Sequence, residues 1–139
     1  MSIFEKSIES ISEYIYAAFV DDNDIFMFFD KSEKVKDISD CTESVINKLK
    51  QYESAIFFGV EENGVPIGFL CVSYQLSLLI SFGVGINYRG DGSFYEMIKK
   101  YLPINCNCVL FSYNKRAINF LVKNGFDIQA DSVTVLKLK

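Results

Sequence analysis

The stretch from Leu76 to Tyr113 constrains the fold of this chain more than any other. It reads as an apolar strand (Leu76 to Ile86), a turn carrying Gly90 and Gly92, a helix opened by Ser93, a stop at Pro103, and a second strand from Cys108 to Tyr113. A strand, a helix and a strand in that order require a crossover, and therefore a parallel strand pair with a helix packed on the sheet. Hairpin signals flank this unit. Ala55 to Val60 is dense in β-prone residues and ends at Glu61-Glu62-Asn63-Gly64, where Asn-Gly between apolar runs marks a tight turn. The return strand, Ile67 to Tyr74, follows Pro66, a position where a missing N–H is tolerated. Downstream, Phe126 to Gln129 and Val133 to Leu138 flank a turn near Ala130-Asp131. A crossover set among hairpins predicts an α/β (mixed α+β) fold: a twisted, mostly antiparallel sheet of about six strands flanked by four helices.

Helical spacing supplies the remaining elements. Phe4, Ile8, Ile11, Ile15 and Phe19 recur at three and four residues, which predicts a first amphipathic helix ended by Asp21 to Asp24. Ile25 to Phe29 is too short to assign, and the polar run from Asp30 to Asp40 reads as a surface loop. Asp40 or Thr42 can cap a second helix through Val45, Ile46 and Leu49. Ser93 and Glu96 have the spacing of a capping box, and Phe94, Met97, Ile98, Tyr101 and Leu102 share one face behind it. The last helix, Asn114 to Asn124, buries Ala117, Ile118, Leu121 and Val122 and closes on Gly125.

The length of 139 residues fits a single domain spanning residues 1–139, and a chain half hydrophobic with 15% aromatic residues is not disordered. A net charge of −4 argues against nucleic acid or an anionic membrane as partner. It fits a cationic or neutral small-molecule substrate and equally serves solubility. Cys41, Cys71, Cys106 and Cys108 form no paired Cys-x-x-Cys knuckles, so free thiols and no metal are expected. Glu5, Lys6 and Glu9 replace the basic start and apolar run of a secretory leader, and no run approaches membrane-spanning length. A cytoplasmic protein is expected, and so ring-rich a surface is compatible with a homodimer.

The chemistry-bearing segment is Arg89-Gly90-Asp91-Gly92-Ser93. A glycine turn at a strand's end, running into a helix N-terminus, lets several backbone N–H groups converge on one point, which suits a phosphate or pyrophosphate. The same glycines serve a plain tight corner. No Gly-Lys-Ser/Thr follows, so this is not a nucleoside-triphosphatase loop.

Three features in order give the chain a family likeness. Val84, Tyr88, Arg89 and Gly92 fall on the pattern Val-x-Pro-x-Tyr-Arg-x-x-Gly-x-Gly/Ala; Asn114, Ala117, Phe120, Gly125 and Phe126 fall on Asn-x-x-Ala-x-x-aromatic-Tyr-x-x-x-Gly-Phe; and the Glu-Asn-Gly hairpin runs into Ile67-Gly68-Phe69. Over residues 55 to 139 the chain resembles the GCN5-related N-acetyltransferases, whose fold is called acyl-CoA N-acyltransferase-like. The resemblance implies acetyl-CoA as cosubstrate, with pantetheine lying beside Phe82, Gly83 and Val84. It implies a pyrophosphate on the amides of Arg89, Gly90, Asp91, Gly92, Ser93 and Phe94, and Asn114 at the sulfur end. It also implies direct attack on the thioester by an amine of a small molecule or peptide.

Three positions depart from the pattern. Phe94 replaces the final Gly/Ala, its ring either crowding the phosphates or turning into the core. Asp91 adds a negative charge beside a dianion. Leu121 stands where the family carries a thiolate-protonating Tyr, leaving Tyr113, otherwise a packing residue, as the substitute acid. The chain has no His. The sequence therefore carries two functional readings: an acetyl-CoA-dependent N-acetyltransferase, or a non-catalytic member of the fold that binds coenzyme A or a protein partner. A plain interaction domain is the third.

Overall fold

The computed structural model describes residues 1–22, 38–110, 114–129 and 134–138. Its elements are β1 (Ser2–Lys6), α1 (Ser12–Phe19), α2 (Ile38–Leu49), β2 (Ile56–Glu62), β3 (Val65–Ser73), β4 (Leu78–Val84), α3 (Ser93–Ile98), β5 (Asn107–Leu110), α4 (Lys115–Lys123), β6 (Phe126–Ile128) and β7 (Thr134–Leu138). Among the described residues, seven strands form one sheet in the order β1-β2-β3-β4-β5-β7-β6. All pairs are antiparallel except β4 with β5, the parallel pair that the crossover demands.

The Asn63-Gly64 hairpin forms as expected. Glu62 faces Val65 across a two-residue loop whose central φ values, 52° and 78°, are those of the primed turn that matches strand twist. β3 reads as an unbroken apolar run because helices cover both faces of the sheet. Phe69 and Cys71 pack toward α1 and α2 with Ile11, Ile15, Ala18, Leu49 and Ile80. Leu70 and Val72 pack the other way, with Phe94, Ile98, Ile118, Leu121 and Phe126.

The front of the chain differs from its helical spacing. Residues 2–6 are an edge strand pairing with β2, which is why the sheet exceeds six strands; Phe4 is 47% exposed there rather than on a helix stripe. The helix begins only at Ser12, and Ile11 and Ile15 do face its core. A segment as short as Ser2–Lys6 fits a strand as well as a helix, and the waiting edge of β2 decides between them. The second helix starts at Ile38, so Thr42 bonds back to the Ile38 carbonyl from inside the helix and caps nothing. Val122, expected in the core, is exposed on α4. The expectations for Ile25 to Phe29, most of Asp30 to Asp40, and Tyr113 fall outside the described residues.

Candidate functional site

Among the described residues, β4 and β5 pair only at Leu78–Asn107 and Leu79–Cys108. There the β3–β4 register shifts: Cys71 faces Ser81 while Val72 faces Leu79, leaving Ile80 as an extra residue on β4. A bulge of this kind bends its strand, and beyond it β4 continues without β5 alongside. Ladder alternation fixes which groups face the resulting gap. The Gly85 N–H bonds to the Ile67 carbonyl at 2.7 Å, so every second residue back, Gly83 included, also turns its polar groups to β3. Phe82 and Val84 therefore direct theirs into the gap. Of the three residues that the sequence placed along the pantetheine, Gly83 cannot serve by its backbone.

The gap opens into a cavity of about 550 Å³. At one end lies the glycine turn. Gly90 and Gly92 have φ of 98° and 81°, values that side chains other than glycine rarely adopt, and a Cβ built on either would meet nothing within 4 Å. The space in front of both is open. The expected capping box does not form. Asp91 Oδ1 instead accepts from the Ser93 N–H at 2.9 Å and from the Ser93 hydroxyl at 2.6 Å. Glu96 pairs with Lys99 at 2.7 Å. The left-handed Gly92 sets the short Asp91 side chain over the first turn of α3, ahead of Ser93 in reach. These bonds from the Ser93 hydroxyl and amide hold the Asp91 carboxyl below its usual range.

Phe94 turns into the core, only 4% exposed, and so does not block the turn. Its ring lies 6.1 Å from that of Phe120, which also gathers Phe82 at 5.4 Å and Tyr95 edge-on at 6.0 Å. These rings form an apolar wall along the gap.

Arg89 does something that its motif does not signal. Its side chain folds away from the glycine turn: Nε donates to the Val84 carbonyl at 2.9 Å, Nη2 to the Ala18 carbonyl at 3.3 Å, and Nη1 to Asp22 Oδ2 at 2.9 Å. Arg116, at the start of α4, donates to the same oxygen at 2.9 Å. Asp22 is a buried carboxylate made tolerable by two cations. It ties the end of α1 to the turn after β4 and to α4. The sequence shows Asp22 only as one of several acidic residues after a helix; nothing in its spacing reveals the partners.

Asn114 caps α4, its Oδ1 accepting from the Ala117 N–H at 3.3 Å, and lines the cavity. Leu121 is fully buried in the core and offers no proton. Glu61, at the end of β2, accepts from the buried Tyr14 hydroxyl at 2.6 Å. Lining residues that the sequence did not single out are Ser44, Lys48, Tyr95, Arg116 and Lys123. Cys108 also lines the cavity, but burial pushes its thiol up to about 12, so it is not a nucleophile at neutral pH. Among the described residues, no group of three or more His, Cys, Asp or Glu is placed to hold a metal ion, and no helix is long and apolar enough to cross a membrane.

The bulged β4, its splayed parallel neighbour β5 and the glycine turn opening α3 belong to a fold that the chain shares with solved GCN5-related N-acetyltransferases. Solved structures of such enzymes superpose along its whole length. An acetyltransferase from Thermus thermophilus matches with a TM-score of 0.71 at 12% identity, covering 99% of this chain and 96% of its own. The PaiA N-acetyltransferase from Thermoplasma acidophilum, in complex with coenzyme A, matches at 0.66 and 16% identity, covering 100% and 99%. The Campylobacter jejuni N-acetyltransferase PseH, in complex with acetyl coenzyme A, matches at 0.57 and 19% identity, covering 99% of both chains. No protein-family model matches the chain, and comparison with curated proteins finds none similar in sequence.

Proposed function

We propose that this protein is an acetyl-CoA-dependent N-acetyltransferase that passes an acetyl group to an amine of a small molecule or peptide by direct attack. The observation carrying this reading is the gap itself. Phe82 and Val84 present backbone groups to a cavity that ends at a glycine turn with open space before it. The residues present fit the coenzyme. The N–H and C=O of Phe82 and the N–H of Val84 would hold the pantetheine arm as a strand is held, the Val84 carbonyl being taken by Arg89. The amides following Gly90 would hold the pyrophosphate. Ser93 joins them once its amide is released by Asp91, an exposed side chain free to swing outward. Acetyl-CoA supplies the activated acetyl thioester.

The protein's own contribution is placement. The Phe82, Phe94, Tyr95 and Phe120 rings exclude water from one wall, which strengthens every polar contact inside. Asn114 spends its carbonyl oxygen on the helix cap and keeps its amide N–H groups as donors toward the cavity. Orientation of this kind lowers a barrier substantially without an acid or base in the protein. The proton of the attacking amine leaves to water, since the chain has no His and no carboxylate lines the cavity among the described residues.

The second reading, a coenzyme-binding protein without turnover, is favoured by one specific pair of observations: the buried Leu121 in place of an acid, and Asp91 seated on the Ser93 amide. A melting experiment with acetyl-CoA followed by a thiol-release assay separates the two. Acetyl-CoA should raise the melting temperature by several degrees, an effect lost in Gly92→Glu, which fills the open space with a like charge. Thiol release with an amine panel then supports the enzyme; binding without release supports the second reading. No shift at millimolar acetyl-CoA removes both.

A further inference from the structure

Residues from both faces of the sheet line the cavity at the splay. Phe19, Ser44, Val45, Lys48 and Ile80 belong to the α1/α2 face, while the glycine turn and the aromatic wall lie toward α3 and α4. Its charge is one-sided. Lys48, Arg89, Arg116 and Lys123 line it, and among the described residues no Asp or Glu does. Asp22 pairs with both guanidinium groups, while Lys48 and Lys123 form no ion pair among the described residues and give the lining its positive charge. This happens in a chain of net charge −4, so the sign is a matter of arrangement and not of composition.

Three of the four cations sit at the coenzyme turn or on α4. Lys48 does not. It stands in the last turn of α2, on the α1/α2 side of the cavity, and forms no ion pair among the described residues. Burial pushes the Cys71 and Cys108 thiols up to about 12, and the Lys48 charge works against that rise in both, which places its field at the splay.

We propose that the acceptor is an amine that also carries an anionic group, a carboxylate or a phosphate, and that Lys48 receives that group on the α1/α2 side of the gap. This rests on the acyltransferase reading and narrows it. The net charge alone fits a cationic or neutral substrate; the cavity lining points to an anionic group instead. A polyamine on this side meets like charge, whereas an amino acid or amino-sugar phosphate meets a counter-ion. The same positive lining disfavours the ammonium form of a bound amine. A bound amine is then held further toward the neutral form that attacks. The lining thus does for the acceptor part of what a general base does elsewhere.

The test uses the whole chain. Acetyl-CoA melting shifts are first recorded for the native protein, Lys48→Arg and Lys48→Glu; all three should shift equally, because Lys48 lies away from the coenzyme turn. Thiol release is then followed with glutamate, glucosamine 6-phosphate, benzylamine and spermidine. The proposal expects turnover of the first two, with KM raised roughly tenfold in Lys48→Glu at similar kcat and restored in Lys48→Arg. Calorimetric titration of the coenzyme A-saturated protein with the same amines should show the same order without any chemistry. Spermidine or benzylamine as the better acceptor, or a KM indifferent to the Lys48 charge, overturns the proposal while leaving the acyltransferase intact. Absence of any acetyl-CoA shift in the native protein removes the acyltransferase reading, and the proposal with it.

Discussion

Replacing Asp22 by Asn tests how the gap is braced. The side chain is 1% exposed, and Oδ2 takes a hydrogen bond from Arg89 and another from Arg116, each at 2.9 Å. Removing one partner of a buried charge pair costs about 3–5 kcal/mol when the other is left stranded. Two features reduce that figure. The guanidinium groups are 22% and 36% exposed and keep some water, and Asn retains an oxygen that can accept. The expected loss is then about 2–3 kcal/mol. With an unfolding entropy of about 2.1 cal/mol/K per residue over 139 residues, that loss lowers the melting temperature by about 7–10 °C. Urea unfolding should show the drop as a lower midpoint at unchanged slope. The acetyl-CoA melting shift should shrink as well, because Arg89 holds the Val84 carbonyl with the same guanidinium. A loss below about 1 kcal/mol with a full coenzyme shift would refute the reasoning, showing that the cluster is solvated and braces nothing.

Asp91→Asn removes a negative charge beside the glycine turn, so coenzyme affinity should rise about threefold at low salt and less at high salt, as titration at two ionic strengths would show. Because hydrogen bonds from Ser93 lower the Asp91 pKa, its contribution to stability is present above the ordinary carboxylate range and is lost as pH falls through the depressed value. The native protein should therefore lose more stability than Asp91→Asn on acidification below about pH 4, measured by urea midpoints. Burial pushes the thiols of Cys71 and Cys108 up to about 12 and that of Cys106 to about 11, so none of the three should react with a thiol reagent at pH 7.5 until urea unfolds the chain. Gly59→Ala would set a Cβ 2.5 Å from the ring of the buried Tyr14 and should cost about 2–3 kcal/mol, partly recovered in the double variant with Tyr14→Leu.

What could be read from the sequence divides by the range of the interaction responsible. Asn63-Gly64 encodes its hairpin in two residues, and Asn114 and Gly125 bound α4 as their side chain and backbone dictate. The crossover follows from one apolar run, one turn and one helix. Features decided across the chain were not legible. Ser2–Lys6 became a strand because β2 had an edge to fill, and Asp91 took the cap from Ser93 once Gly92 adopted a left-handed conformation. Of the site, Val84, Gly90, Gly92 and Asn114 line the cavity, and Phe94 resolves toward the core. The Arg89–Asp22–Arg116 cluster and the Ile80 bulge arise only from the tertiary arrangement, as does the position of Lys48 on the α2 side of the cavity.

Among the described residues, two residue pairs are all that stitch β4 to β5, and with them one half of the sheet to the other. Anything lying along the remainder of that seam supplies rungs the chain itself omits. Occupancy and resistance to heat are then two faces of one property, and amide exchange at β5 and its neighbours should slow when the gap is filled. The weakest line in the sheet is also its most responsive, which makes local protection a way to find ligands before any reaction is known.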